Sequence, residues 1–224
     1  MFAASILCSN WAKLGNEAQK AINAGFSSLH IDIMDYSYVP NLSFGPEILK
    51  FLRQILPKAQ FDVHLMSRYL DQLVPRSLAF GADRIIIHPE ASSDLDSLLG
   101  QIDDSGKKIG LAFNPESDLS LLKSIGERVD QVILMGVSPG FGGQRFQNSV
   151  LTTIVDLVSI RNRMKHSYSI SIDGGVNDAN INQIGKFGAE HFVIGSYLFR
   201  KTDYCDAYKI LRDHLHQEAQ MVKS

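Results

Sequence analysis

Apolar and polar positions alternate with period two in three short stretches of the chain. Leu29, Ile31 and Ile33 alternate with His30, Asp32 and Met34; Phe61, Val63 and Leu65 with Asp62, His64 and Met66; Ile170 and Ile172 with Ser169, Ser171 and Asp173. Successive side chains of a strand point to opposite faces, so each stretch predicts a strand with one apolar face and one face rich in ionisable groups. Packing alone does not select that second face, because burying an unpartnered imidazole or carboxylate costs on the order of several kcal/mol. Together with runs rich in Ile and Val, the pattern predicts eight strands, within 2–8, 27–34, 60–66, 83–90, 107–113, 130–137, 168–175 and 190–196. Helical periodicity falls between them, over 11–25, 45–58, 70–82, 94–106, 118–129, 148–164 and 177–189, and continues in an amphipathic tail over 202–220. Several of these segments end in Gly or Gly-Ala just before the next strand, as helix C-caps do.

Strict alternation of strand and helix implies a parallel sheet. Eight units in 224 residues favour a closed (β/α)8 TIM barrel over an open doubly wound sheet. No linker or shift of composition divides the chain, so one barrel domain over 1–224 is expected.

Composition narrows the class of partner. With 45% hydrophobic and 21% charged residues and a formal net charge of -2, the chain has the make-up of a globular protein with no basic footprint for nucleic acid or a membrane surface. Cys8 and Cys205 are too few for a disulfide framework and lack metal-finger spacing, which favours two passive thiols in a reducing compartment. The N-terminal stretch lacks a basic region and its apolar run is short, so a cytoplasmic location is expected.

In a (β/α)8 barrel the outer strand face meets helices and the active site lies at the C-terminal ends of the strands. The polar sets therefore point inward, and His30, Asp32, His64 and Asp173 are expected to converge. Two imidazoles and two carboxylates suit a divalent transition metal such as Zn, Fe, Mn or Co, whose charge offsets the burial of the carboxylates. His88 ends the fourth strand without a paired carboxylate, and a structural or supporting role is expected for it. His166, His191, His214 and His216 fall in loop or helix contexts and are expected to be solvated.

Glycine clusters follow the later strands: Gly140, Gly142 and Gly143 after the sixth, Gly174 and Gly175 after the seventh, Gly195 with Ser196 after the eighth. Any one cluster is equally well read as a tight turn. Three at one end of a barrel, where backbone N–H groups can approach an anion, point to a phosphorylated substrate.

The motifs ASIL, HIDIMD followed by YVPN, DVHLM, LMGVSPGFGGQ, IDGGVN and IGSYLF, in this order, resemble the ribulose-phosphate 3-epimerase family over nearly the whole chain. The resemblance implies a ribulose-phosphate binding barrel that interconverts D-ribulose 5-phosphate and D-xylulose 5-phosphate in the pentose phosphate pathway. It implies His30, Asp32, His64 and Asp173 as metal ligands, with Asp32 and Asp173 also the acid/base pair. It places Ser5, Met34, Met66 and Met135 near the sugar, and Gly142, Gly143, Gly174, Gly175, Gly195 and Ser196 at the phosphate. The expected partners are a small phosphorylated ketose and further copies of the chain in a homo-oligomer.

The chain departs from the family pattern at Tyr36 and Ser37, where Gly followed by His or Tyr is usual, and at Gly136, where Thr is common. These departures keep open a relative acting on another ketose phosphate, such as D-allulose 6-phosphate, and a non-catalytic sugar-phosphate-binding barrel. A barrel metallohydrolase is disfavoured, because the first strand supplies no His-x-His pair. A tyrosine at a glycine position with positive φ must accept strain or sit in a rebuilt loop; a rebuilt loop is expected, its phenol either reaching over the barrel mouth to change substrate choice or facing solvent with no role.

Overall fold

The computed structural model describes residues 1–216. Eight parallel strands close into a barrel in sequence order: β1 (Phe2–Ser5), β2 (Ser28–Met34), β3 (Gln60–Met66), β4 (Arg84–Ile87), β5 (Lys108–Phe113), β6 (Gln131–Met135), β7 (Ser169–Asp173) and β8 (His191–Ile194). The outward sets Leu29, Ile31, Ile33, Phe61, Val63 and Leu65 are at most 1% exposed and pack in the main core between barrel and helices. Removing each such side chain from water contributes roughly 1.5–3 kcal/mol, which is why parity along the strand was decisive.

The surrounding helices are α1 (Leu14–Asn23), α2 (Glu47–Ile55), α3 (Leu70–Ala79), α4 (Leu95–Asp104), α5 (Leu122–Ile125), α6 (Val150–Met164), α7 (Ile181–Lys186), α8 (Ser196–Phe199) and α9 (Tyr204–Leu215). Helix α2 shows how sequence selects them. Leu49 and Leu52, three residues apart on one face, are buried, Glu47 lies in the first turn, and the helix ends just before Leu56, whose place ahead of Pro57 disfavours further helix. Asp203 caps α9 by accepting hydrogen bonds from the backbone N–H groups of Cys205 and Asp206 at 2.8 and 3.1 Å. The helical reading of 217–220 lies outside the described residues.

Several elements are shorter than expected, β1 and α5 for identifiable local reasons. The run 2–8 leaves the sheet at Ser5 and turns into a 3-10 segment, Ile6–Cys8, which ends β1 at the mouth. Helix α5 covers only Leu122–Ile125 because Asp118 accepts from both the backbone N–H and the hydroxyl of Ser120, at 2.9 and 2.6 Å, holding the preceding residues in a local turn.

Register delivers the inward residues to one level. Between β2 and β3, Asp32 lies beside His64 and Met34 beside Met66; Ser5 lies beside His30, and Met135 beside Asp173. Asp62, on the inward parity of β3, sits lower in the barrel, where it accepts from Ser28 Oγ at 2.6 Å and pairs with Arg84 at 2.5 Å. His166, His191 and His214, expected to be solvated, are each half-buried, and His191 begins β8, inside the strand predicted over 190–196.

Candidate active site and metal centre

His30, Asp32, His64 and Asp173 bring four ligand atoms within 4.8 Å of one another. His30 Nε2 lies 3.3 Å from both Asp32 Oδ1 and Asp173 Oδ2. His64 Nδ1 lies 3.3 Å from Asp32 Oδ1, 3.6 Å from Asp173 Oδ2 and 3.3 Å from His30 Nε2. Neighbouring atoms on a tetrahedron with bonds of about 2.0–2.2 Å, the usual range for nitrogen and oxygen on zinc, are about 3.3–3.6 Å apart. Five of the six separations fall in that range, the sixth, between the two carboxylates, is at most 4.8 Å, and the carboxylates supply the charge that a divalent ion needs. The residues present fit such an ion.

Ser5 Oγ donates to the second oxygen, Asp32 Oδ2, at 2.8 Å, and fixes the rotation of the carboxylate. Beyond it, Ser43 Oγ donates to the Asp32 carbonyl at 2.5 Å and accepts from the Met34 N–H at 3.0 Å, tying the end of β2 to the following loop.

Without a metal, the cluster is an ionic network. Burial pushes against charge on His30, but the Asp32 and Asp173 carboxylates overcome it and hold the imidazole well above its ordinary value. His64 is also raised: burial again opposes, and hydrogen bonds to Asp173 and Asp32 prevail. Burial acts to raise both carboxyls, yet the His30 cation and its hydrogen bonds hold Asp32 and Asp173 below the usual range.

The carboxylates of Asp32 and Asp173 form the floor of a cavity at the barrel mouth. Met34, Met66 and Met135 line its side, and Ser5, Gly142, Gly143, Gly174, Gly175, Gly195 and Ser196 line the remainder with Asp32 and Asp173. All the residues expected at the sugar and the phosphate thus face one space. Gly174 and Gly175 have φ of 105° and 72°, and a methyl group built on Gly175 would lie 2.5 Å from the Phe146 backbone nitrogen. No other residue type fits there without moving the backbone. At Gly136 a methyl group would lie 2.4 Å from the Gly174 carbonyl oxygen, so the departure from the family threonine matches the close passage of these two loops.

The glycine-rich loop after β6 is held by its neighbours. Asn41 Nδ2 donates to the Gly140 carbonyl at 2.6 Å, and Gln144 Nε2 donates to the carbonyls of Ser138 and Phe141 at 2.7 and 2.8 Å.

Tyr36 corrects an expectation. The loop is not rebuilt: Tyr36 itself takes φ 71°, and its side chain is 66% exposed and absent from the cavity wall. The turn survives because Tyr36 N–H donates to the Asn41 carbonyl at 3.0 Å, while Asp35 accepts from Ser37 Oγ and Ser67 Oγ at 2.6 and 2.5 Å.

Two residues at the mouth are not expected there from sequence, where Cys8 reads only as a passive thiol and Arg200 has no place. Cys8 lines the cavity, and burial followed by the Asp32 carboxylate pushes its thiol up, keeping it protonated. The Arg200 Nη2 atom lies 3.3 Å from where a methyl group on Gly143 would stand, and among the described residues the guanidinium has no carboxylate partner. Its position directly after IGSYLF was the available signal.

A closed parallel barrel with a His/Asp cluster at the carboxyl ends of its strands, open to a glycine-lined cavity, defines a barrel enzyme with a candidate divalent-metal centre. The model of the ribulose-phosphate 3 epimerase family matches residues 1–199, and the chain belongs to that family, which places it among the isomerases. It is 42% identical over 218 residues to the ribulose-phosphate 3-epimerase of Escherichia coli (strain K12), covering 96% of each chain. To that of Serratia marcescens it is 39% identical over 204 residues, covering 91% of this chain and 97% of the relative. Among solved structures, 3-keto-L-gulonate-6-phosphate decarboxylase from Vibrio cholerae superposes with a TM-score of 0.72 at 15% identity, covering 97% of each chain, a likeness of fold alone.

Proposed function

We propose that this protein interconverts D-ribulose 5-phosphate and D-xylulose 5-phosphate by inverting C3, with Asp32 and Asp173 as the two acid/base groups and His30, Asp32, His64 and Asp173 as the ligands of a divalent ion of the Zn, Fe, Mn or Co type. The observation that carries the proposal is the meeting of two carboxylates from opposite parts of the ring. Asp32 on β2 and Asp173 on β7 are separated by β1 and β8, yet both reach His30 Nε2 at 3.3 Å under a cavity lined by glycines.

Removal of the C3 proton beside the C2 carbonyl gives a flat enediolate, which must be reprotonated on its other face to invert the centre. A bound divalent ion supplies Lewis-acid stabilisation of the negative charge that develops on the substrate oxygen. Asp32, with one oxygen fixed by Ser5, takes or gives the proton on one face. Asp173 serves the other, and the roles exchange with direction. Met34, Met66 and Met135 exclude water from the intermediate with soft apolar surface. Backbone N–H groups around Gly143, Gly175 and Ser196 receive the phosphate, with the Arg200 guanidinium as counter-charge. Two free cysteines agree with a reducing, cytoplasmic setting, and no helix among the described residues is long and apolar enough to cross a membrane.

The test compares kcat/KM of the metal-loaded protein for D-ribulose 5-phosphate, D-allulose 6-phosphate and unphosphorylated D-ribulose. The proposal predicts the highest value for the pentose phosphate and a loss on the order of a thousandfold without the phosphate, whose binding energy is used at the reacting carbon. Preference for the hexose phosphate would reassign the substrate, and equal values with and without phosphate would contradict the glycine-lined site.

A further inference from the structure

The His64 ring has two nitrogens in different surroundings. Nδ1 faces the four-residue cluster, 3.3 Å from Asp32 Oδ1. Nε2 points the other way and lies 3.0 Å from His88 Nε2, the two rings stacked at 26° with centroids 5.1 Å apart. Both histidines are fully buried, so no solvent can replace this contact. Two nitrogens at that distance require one proton between them: one ring donates and the other accepts.

The consequence reaches the cluster. An imidazole can offer Nδ1 to a metal only if that nitrogen carries no proton, and a neutral ring then holds its proton on Nε2. That N–H has a partner only if His88 Nε2 is bare, which puts the His88 proton on Nδ1. His88 Nδ1 has no hydrogen-bond partner, but the nearest anion, Glu90 Oε1, lies 3.7 Å away and favours an N–H over a lone pair on that side. Glu90 is itself fixed, since its Oε1 accepts from Tyr38 Oη at 2.7 Å and Asn114 Nδ2 at 2.9 Å. The Tyr38 ring lies against His88 with centroids 4.7 Å apart and holds its plane. With the opposite tautomer of His88, two N–H groups would confront each other, or His64 would have to carry its proton on Nδ1, inside the cluster.

We infer that His88 is a positioning residue that fixes the metal-accepting tautomer of His64, with the proton order running from Glu90 through His88 Nδ1–H to an acceptor Nε2 that receives the His64 Nε2–H. Partners outside the ligand shell commonly orient ligating histidines in this way. The inference rests on the metal-centre reading of the cluster and adds a requirement to it: the site takes up metal well only while an acceptor stands at the His88 Nε2 position.

The test separates the two. Zinc affinity is measured by competition with a chromophoric chelator for the unaltered protein, His88→Gln and His88→Leu. The glutamine carbonyl can reach the Nε2 position and accept, whereas leucine of similar bulk cannot. Expected are tight binding by the unaltered protein, a dissociation constant within about threefold for His88→Gln, and weakening by about ten- to a hundredfold for His88→Leu. Failure of the unaltered protein to bind zinc would overturn the metal-centre reading. Equal affinity of all three, or equal loss in both variants, would overturn the role of His88 alone. Long-range 1H–15N correlation spectra of the unaltered zinc-loaded protein give an answer independent of how the variants fold. They should show protons on His64 Nε2 and His88 Nδ1, and a proton on His88 Nε2 would refute the assignment.

Discussion

Asp32 is held from three sides, by the two imidazoles on one oxygen and by Ser5 on the other. A carboxylate so fixed can transfer a proton along only one direction, which makes its chemistry separable from its place in the cluster. Asp32→Asn and Asp173→Asn keep an oxygen donor but lose the base, and each should lower kcat by on the order of a thousandfold or more with zinc content retained. Near-normal turnover by either variant would reject the two-base assignment. The cluster residues were legible because strand parity exposes them: an ionisable group on every second position cannot be placed outward among helices. Tyr36 was not legible, since its left-handed φ follows from hydrogen bonds with Asn41 and around Asp35 that no local pattern announces. A bulky residue in that region stores strain, so Tyr36→Gly should stabilise the protein by about 1 kcal/mol in denaturant unfolding. With the phenol outside the cavity, the variant should keep its ratio of kcat/KM between pentose and hexose phosphates. Loss of stability, or a shifted ratio, would show that the tyrosine is held for a purpose.

At the scale of elements, two loops make the mouth. The loop after β2 carries Asn41 to the Gly140 carbonyl, so the motif following β2 braces the glycine-rich loop ninety-nine residues further on. Asn41→Ala removes that bond and should raise KM for a phosphorylated ketose several-fold with a smaller change in kcat, because the loop contributes binding more than chemistry. An unchanged KM would mean that Gln144 alone holds the loop. The glycine clusters were legible as a group at the C-terminal ends of the strands, but their reasons differ. Gly175 is demanded by both φ and a neighbouring backbone, Gly136 by the approach of the Gly174 carbonyl, and only coordinates distinguish such causes. His88 was legible as a position and not as a function. Its meaning depends on which nitrogen faces His64 across adjacent strands, a fact of ring orientation that sequence does not carry.

At the scale of the molecule, the histidines pull stability in opposite directions with pH. His30 and His64 are raised by their carboxylates, so in the metal-free protein their contribution is fully present below about 6.5 and is lost as pH rises through the raised values. The lowered Asp32 and Asp173 contribute above about 3.9 and lose that contribution as pH falls through their depressed values. His191 has the other sign. Burial, then the N-terminal amine and Arg84, push it down to about 4, so folding favours the neutral ring and stability is lost as pH falls from about 6.5 toward that value. His191→Gln should therefore flatten the acid limb of the unfolding free energy between those limits by about 1 kcal/mol, allowing for solvent around a half-buried ring; an unaltered limb would place the acid lability elsewhere. The closed barrel was legible as a whole because alternation of eight strands with helices leaves few other topologies, whereas the length of α5 was set by the side-chain bonds of Asp118 and that of β1 by the turn into the 3-10 segment after Ser5. The measurement that bears most directly on the account is conversion of D-ribulose 5-phosphate in D2O by the metal-loaded protein, with the product examined by NMR. The account predicts D-xylulose 5-phosphate carrying deuterium at C3, since the proton removed by one aspartate is replaced from solvent through the other. Product retaining protium at C3, or no product at all, would contradict it.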